Sequence, residues 1–173
     1  MKEKATRSDL ENRFLDLLEN HFGILVKIAR MYTRTWHDRE DLIQAMILEL
    51  WNSFPGFKGN AKASTWMYRV ALNTAMTRHR RDKRGIPLRL EEHISEAGPT
   101  AWTPEDEPPD ELDRLWDAIG DLDAFNRALI LLYLDGLSHE EIAQITGLSR
   151  SNVGTRIGRV KEKLKDFITK QTP

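Results

Sequence analysis

The chain has 173 residues, 40% of them hydrophobic and 31% charged, with a net charge of −1, which fits one large or two small domains with modest apolar cores. The absence of cysteine excludes a disulfide scaffold, a thiol nucleophile and any cysteine-based zinc or iron–sulfur site. The longest apolar run, residues 128–134, is too short to span a bilayer, and residues 1–5 lack the apolar run of a secretory signal, so a cytoplasmic protein without membrane insertion is expected.

Charge is unevenly laid out. Residues 1–90 hold 17 Lys/Arg against 10 Asp/Glu, residues 91–113 hold nine acids and no Lys or Arg, and residues 114–173 are nearly balanced. A basic front half predicts a polyanionic partner. In chain order, Ser8-Asp9-Leu10-Glu11 reads as a capping box opening a first helix. A second helix is expected over about 21–35. A third begins near Asp38, with Asp41 in its first turn, and ends before Pro55-Gly56. Its core side is Leu42, Ile43, Met46, Ile47, Leu50 and Phe54. The far side carries Asp41, Gln44, Ala45, Leu48 and Asn52, where Leu48 is a large apolar residue among polar ones. From the residues alone, protein docking and chance are equally good accounts of it.

A polar loop, 55–63, leads to a fourth helix after Ser64, running to about Arg84. One side holds Tyr68, Ala71, Leu72 and Ala75. Another stripe holds Trp66, Arg69, Asn73, Thr77 and Arg80. A tryptophan on a row of Arg and Asn suits a surface that stacks on bases and holds phosphates; the bland alternative is a core tryptophan beside a solvated basic end. Five of the seven prolines then fall within 85–110, which reads as an acidic linker joining two domains.

Four shorter helices are expected after it, at roughly 110–119, 123–134, 138–145 and 149–168. Asp135-Gly136 reads as a stop, Ser138-His139-Glu140-Glu141 as a capping box, and Ser149 as a cap. Residues 138–160 fit a helix-turn-helix. Ala143 lets the second helix pack closely, Gly147 opens the turn and Val153 anchors the second helix. Val153, Ile157, Val160, Leu164 and Phe167 share one face of the last helix. Ser151, Asn152, Thr155, Gly158 and Arg159 lie opposite, with Arg150, Arg156, Lys161 and Lys163 on the flanks. Short polar side chains with basic flanks suit the major groove of duplex DNA.

Asp41-Leu42-Ile43-Gln44, Trp51, Phe57-Lys58-Gly59 and Thr65-Trp66-Met67-Tyr68-Arg69-Val70-Ala71 with Asn73 together resemble region 2 of bacterial RNA polymerase sigma factors. The helix-turn-helix resembles region 4. Two such domains and a short linker resemble the extracytoplasmic-function (ECF, group IV) type. The resemblance implies an all-α fold, with a region 2-like four-helix domain over 1–85, a linker over 86–110 and a region 4-like domain over 111–173. It implies polymerase docking through Asp41, Gln44, Leu48 and Asn52. It implies capture of a melted −10 strand by Lys58, Asn60, Lys62, Ser64, Trp66, Arg69, Asn73 and Arg80, and reading of the −35 duplex by Arg150, Ser151, Asn152, Thr155, Arg156 and Arg159. The partners implied are core RNA polymerase, promoter DNA and an anti-sigma factor. Ala45, Ile47, Gly154 and Gly158 depart from the family's usual residues.

No phosphate-binding loop Gly-x-x-x-x-Gly-Lys-Ser/Thr occurs, and His21, His37, His79, His93 and His139 show no metal-ligand pairing, so neither an enzyme nor a cofactor is expected. Two other functions stay open: a helix-turn-helix regulator that does not load polymerase, and an adaptor that sequesters an anti-sigma factor. The acidic linker reads either as a solubilising tether or, on the resemblance, as a segment that threads the polymerase's RNA channel.

Overall fold

A computed structural model describes residues 7–83, 115 and 118–171. The linker expected over 86–110 lies outside them, as does most of the helix expected at 110–119. Among the described residues the long elements are α1 (Arg7–Tyr32), α2 (Trp36–Ser53), α3 (Ala63–Lys83), α4 (Ala124–Leu134), α5 (His139–Thr146) and α6 (Arg150–Gln171), with a 3-10 turn at Phe54–Gly56. All regular structure described is helical.

The front domain corrects one expectation. The helices expected from Ser8 and from about His21 are a single helix of 26 residues, with Ser8 inside it. Gly23 is its one weak point, and a glycine within a helix costs only about 1 kcal/mol relative to alanine. Leu25, Ile28 and Ala29, all fully buried, hold that part of α1 in the core, and this packing outweighs the local penalty. The front domain is therefore three long helices and a 3-10 turn. The start of α2 also shifts. Thr35 is the N-cap, its hydroxyl accepts from the Asp38 amide, and Asp38 rather than Asp41 occupies the first turn.

Leu42, Met46 and Leu50 from α2 meet Met67, Ala71, Leu72 and Ala75 from α3 in the front core. Ile43 and Ile47 are half-buried at its edge. The rear core is Leu129, Ile130 and Leu132 of α4 against Ile142 of α5 and Val153, Ile157 and Val160 of α6. Asp123 caps α4 through the amides of Phe125 and Asn126. The Ser138–Glu141 capping box forms in both directions.

Gly147 ends α5 in the left-handed region, at φ +76°, and its amide donates to the Ala143 carbonyl. This is the turn of the helix-turn-helix. A Cβ added there would meet nothing within 4 Å, so Gly147→Ala incurs only the conformational penalty. A loss of about 1–2 kcal/mol is expected in thermal denaturation.

The two domains touch. Tyr32 Oη donates to the Ala124 carbonyl, Lys27 Nζ lies 2.6 Å from Asp135 Oδ1, and Lys62 Nζ lies 2.8 Å from Glu141 Oε1. Tyr68 Oη donates to the other oxygen of Asp135. No described helix is long and apolar enough to cross a membrane.

Candidate nucleic-acid interface

The 3-10 turn Phe54–Gly56 brings Phe57 over the start of α3. Its ring stacks on Trp66 at 4.8 Å between centroids, with 28° between planes. Phe54 lies 6.1 Å from Trp66 and packs edge-on against Phe14 at 5.3 Å. Trp66 is thus half core and half surface, which reconciles the two accounts of it from sequence. A cleft of about 490 Å³ opens beside this pair, lined by Phe57, Lys58, Asn60, Thr65, Trp66 and Arg69, with Gln144 of α5 at its edge.

Four of the residues expected at a strand-binding site therefore line one cleft: Lys58, Asn60, Trp66 and Arg69. Ser64, Asn73 and Arg80 lie along α3 outside its lining, and Lys62 turns to the rear domain. Phe57 and the buried Thr65 complete the cleft, although neither stands out from composition. The signal for Phe57 was available, because a partly exposed tryptophan needs an aromatic or apolar neighbour to fix its ring.

On α2, Gln44, Leu48 and Asn52 form an exposed row, with Leu48 61% exposed. Asp41 heads the row but is half-buried. Its carboxylate accepts from Arg78 Nη2 at 3.3 Å and lies 3.8 Å from His37 Nε2. A cation from α3 therefore orients it.

On α6, Arg150, Ser151, Asn152, Thr155, Arg156 and Arg159 are all exposed, while Val153, Ile157 and Val160 face inward. Ser149 Oγ accepts from the Asn152 amide, so the helix start is capped as expected. The Arg156 guanidinium lies 5.3 Å from the centre of the Phe125 ring, which fixes its stem to its own domain. A Cβ on Gly154 would touch the His139 ring at 3.5 Å, whereas Gly158 faces open space. An alanine at 154 would therefore make an ordinary van der Waals contact with the His139 ring.

Charges at the domain junction are perturbed. The hydrogen bond from Lys62, and those from the Ser138 backbone and hydroxyl, hold the Glu141 carboxyl down at about 2. The same contact raises Lys62. Burial, then the bond to Asp135, pushes the Tyr68 phenol up. Arg127 is only 5% exposed, and burial lowers its pKa. Its fork donates to the carbonyls of Met31, Gly120 and Leu122. Beside it lies a cavity of about 1010 Å³, with Arg30, Arg34, Arg39 and Arg78 in its walls.

Comparison with known proteins bears directly on these surfaces. Sigma-70 region 2 matches residues 17–85, and Sigma-70 region 4 matches residues 112–164. The ECF RNA polymerase sigma-E factor of Haemophilus influenzae is 30% identical across 97% of this chain and 98% of its own. The chain belongs to the ECF sigma factor family. As a sigma factor it binds core RNA polymerase and promoter DNA and directs promoter-specific transcription.

Two solved sigma factors share the fold. CnrH, of Cupriavidus metallidurans, was solved with the cytosolic domain of CnrY. It aligns with a TM-score of 0.67 at 24% identity, covering 94% of this chain and 91% of its own. RpoE of Bartonella quintana, solved with the anti-sigma factor NepR, aligns at 0.63 and 20% identity, covering 95% and 99%. The matches place the α2 row and the Trp66 cleft inside region 2 and the exposed face of α6 inside region 4.

Proposed function

We propose that this ECF sigma factor opens promoters by binding energy alone, in the cytoplasm, with the work divided among residues 1–85, a linker over 86–110 and residues 111–173. The observation that carries the reading is the Phe57–Trp66 stack in a cleft edged by Lys58, Asn60 and Arg69. An aromatic platform with cations at its rim holds an unstacked base and its phosphates. Extruding a base costs a few kcal/mol, and stacking returns about 1–3 kcal/mol per base. Lys62, Ser64, Asn73 and Arg80 extend the contact along the strand. No bond is made or broken by this chain in that scheme.

Gln44, Leu48 and Asn52, with Asp41 oriented by Arg78, dock on core polymerase. A single exposed leucine ringed by hydrogen-bonding groups supports this, because it gives a small apolar contact with polar registration. Arg150, Ser151, Asn152, Thr155, Arg156 and Arg159 face the −35 duplex. An anti-sigma factor is a further partner in this reading. Its support is that the RpoE neighbour was solved with one.

The test is reconstituted transcription with core polymerase on a random promoter library, which also yields the promoter sequence. On the selected −35 duplex, Arg159→Ala should weaken binding by about 5- to 100-fold, as expected for loss of one base or phosphate contact. Indifference of the band shift to this change would remove α6's exposed face from the reading.

A further inference from the structure

The cavity beside Arg127 shares no lining residue with the Trp66 cleft or with the exposed face of α6. It measures about 1010 Å³ and lies where the end of α1, the start of α2 and the second half of α3 meet Gly120, Asp121 and Arg127 of the rear domain. That is room enough for a small-molecule ligand. Five arginines line it, Arg30, Arg34, Arg39, Arg78 and Arg127, against two aspartates, Asp38 and Asp121.

The arginines stand at graded depth. Arg30 and Arg34 are exposed, Arg39 and Arg78 are half-buried, and Arg127 is buried. Among the described residues neither aspartate forms an ion pair with Arg39 or Arg127. Asp38 instead accepts from the Thr35 hydroxyl at 2.6 Å. The outer nitrogens of Arg127 donate to carbonyls, but its Nε, like that of Arg39, is buried and has no hydrogen-bond acceptor. Buried donors are nearly always paired in folded proteins, so two charged exceptions in one cavity require a cause. Burial is the main reason for the lowered pKa of Arg127, and the like charge of Arg34 adds to it. A compact polyanion would answer both features. It brings acceptors for the two Nε–H groups and charge for the guanidinium cluster, whose planar forks match phosphate oxygens.

We propose that this cavity binds a small anion made of several linked phosphates, either free or carried by a nucleoside. Arg39 and Arg127 offer their Nε–H groups to its inner oxygens, and Arg30 and Arg34 meet its outer charge. Depth favours a small ligand over a nucleic-acid backbone, because the phosphates of a duplex lie along a wide rod and cannot reach a residue that is only 5% exposed. The walls come from both domains, so the bound anion also ties them together and stabilises the fold by mass action.

The test is calorimetric titration of the full-length protein with sodium tripolyphosphate in magnesium-free buffer, with GTP in a parallel arm. Saturable binding of one anion per chain is expected, with a dissociation constant of about 1–300 μM and a thermal midpoint that rises with anion concentration. Equal binding of the two probes identifies the phosphate chain as the ligand, and GTP binding tighter by about tenfold or more identifies a nucleoside polyphosphate; either supports the site. Arg34→Gln with Arg39→Gln should weaken binding by at least about tenfold, while the ligand-free midpoint holds or rises because like charges have been removed. Arg30→Gln with Arg34→Gln, at two exposed positions that cannot unfold the core, should weaken binding by about three- to tenfold. Lys58→Gln with Arg69→Gln, in the Trp66 cleft, should leave anion affinity within about twofold. Absence of saturable binding, or affinity unchanged in both cavity variants, would overturn the proposal. Loss confined to the Lys58 and Arg69 variant would put the anion in the other cleft and overturn it equally. Displacement of tripolyphosphate by promoter duplex, with duplex binding weakened in the cavity variants, would assign these arginines to the DNA backbone instead.

Discussion

Arg127→Met should destabilise the protein by about 2–4 kcal/mol, the larger of the two stability losses expected here. The guanidinium is buried and engages three backbone carbonyls, those of Met31, Gly120 and Leu122. No side-chain carboxylate bonds it among these contacts. Methionine keeps much of the volume but leaves three acceptors unmatched, two of them in buried contacts and one part-buried. Hydrogen bonds to charged groups are worth about 1.5–3 kcal/mol each. Part of that total is offset because methionine removes the cost of burying a charge, a cost visible in the lowered pKa of Arg127. Arg127→Lys should recover less than half of the loss, since one ammonium cannot span a planar fork. The measurement is the urea midpoint at constant slope. A change below about 1 kcal/mol would mean that the carbonyls find other donors and that the fork is incidental.

Trp66→Ala should reduce promoter opening by the assembled holoenzyme by about 5- to 150-fold, corresponding to the loss of one base stack. Affinity for core polymerase should hold, because the α2 row lies on another helix. Phe57→Ala should give a smaller loss in the same direction, since it removes the ring that fixes Trp66 from behind. Trp66→Phe should retain most of the activity. Opening can be followed by permanganate reactivity of unpaired thymines, and polymerase binding by native gel. If Trp66→Ala lowered both together, the tryptophan would be acting only as packing for Phe54 and Phe57, and the cleft would lose its platform.

The helix-turn-helix was legible because every signal in it is local. Ser138 and Glu141 cap reciprocally within one turn, Gly147 takes the left-handed conformation that its residue type favours, and Val153, Ile157 and Val160 repeat on one face. The same holds for α2, where only the start was displaced. The long α1 was less legible. A second helix was expected to start near His21, but burial of Phe14 ahead of Gly23 and of Leu25, Ile28 and Ala29 beyond it carries one helix through. The cleft was half legible. Trp66 and Arg69 fall on one helical stripe, whereas Phe57 joins them only through a loop whose path no periodicity encodes.

The contacts between domains were not legible at all. Lys62 and Glu141 are 79 positions apart, and Tyr68 and Asp135 are 67 apart. Glu141 was already accounted for as the reciprocal member of a capping box, and Asp135 as part of a helix stop. Each residue had a sufficient local role, so nothing in the sequence pointed to a second one. Docking of Gln44, Leu48 and Asn52 and base reading by α6 are surface properties of another kind. Exposure makes them available, and only the partner gives them meaning.

Asp135 illustrates what such double service entails over generations. The residue ends α4, with its amide on the Leu131 carbonyl, and its two carboxylate oxygens are taken by donors from separate helices. Asparagine would still terminate the helix, and glutamate would still carry the charge, but neither does both at the same reach. The position is therefore expected to drift slowly among descendants although it is assigned no contact with DNA or polymerase. Where it does change, Lys27 and Tyr68 should change in step, leaving a correlated trace in the lineage.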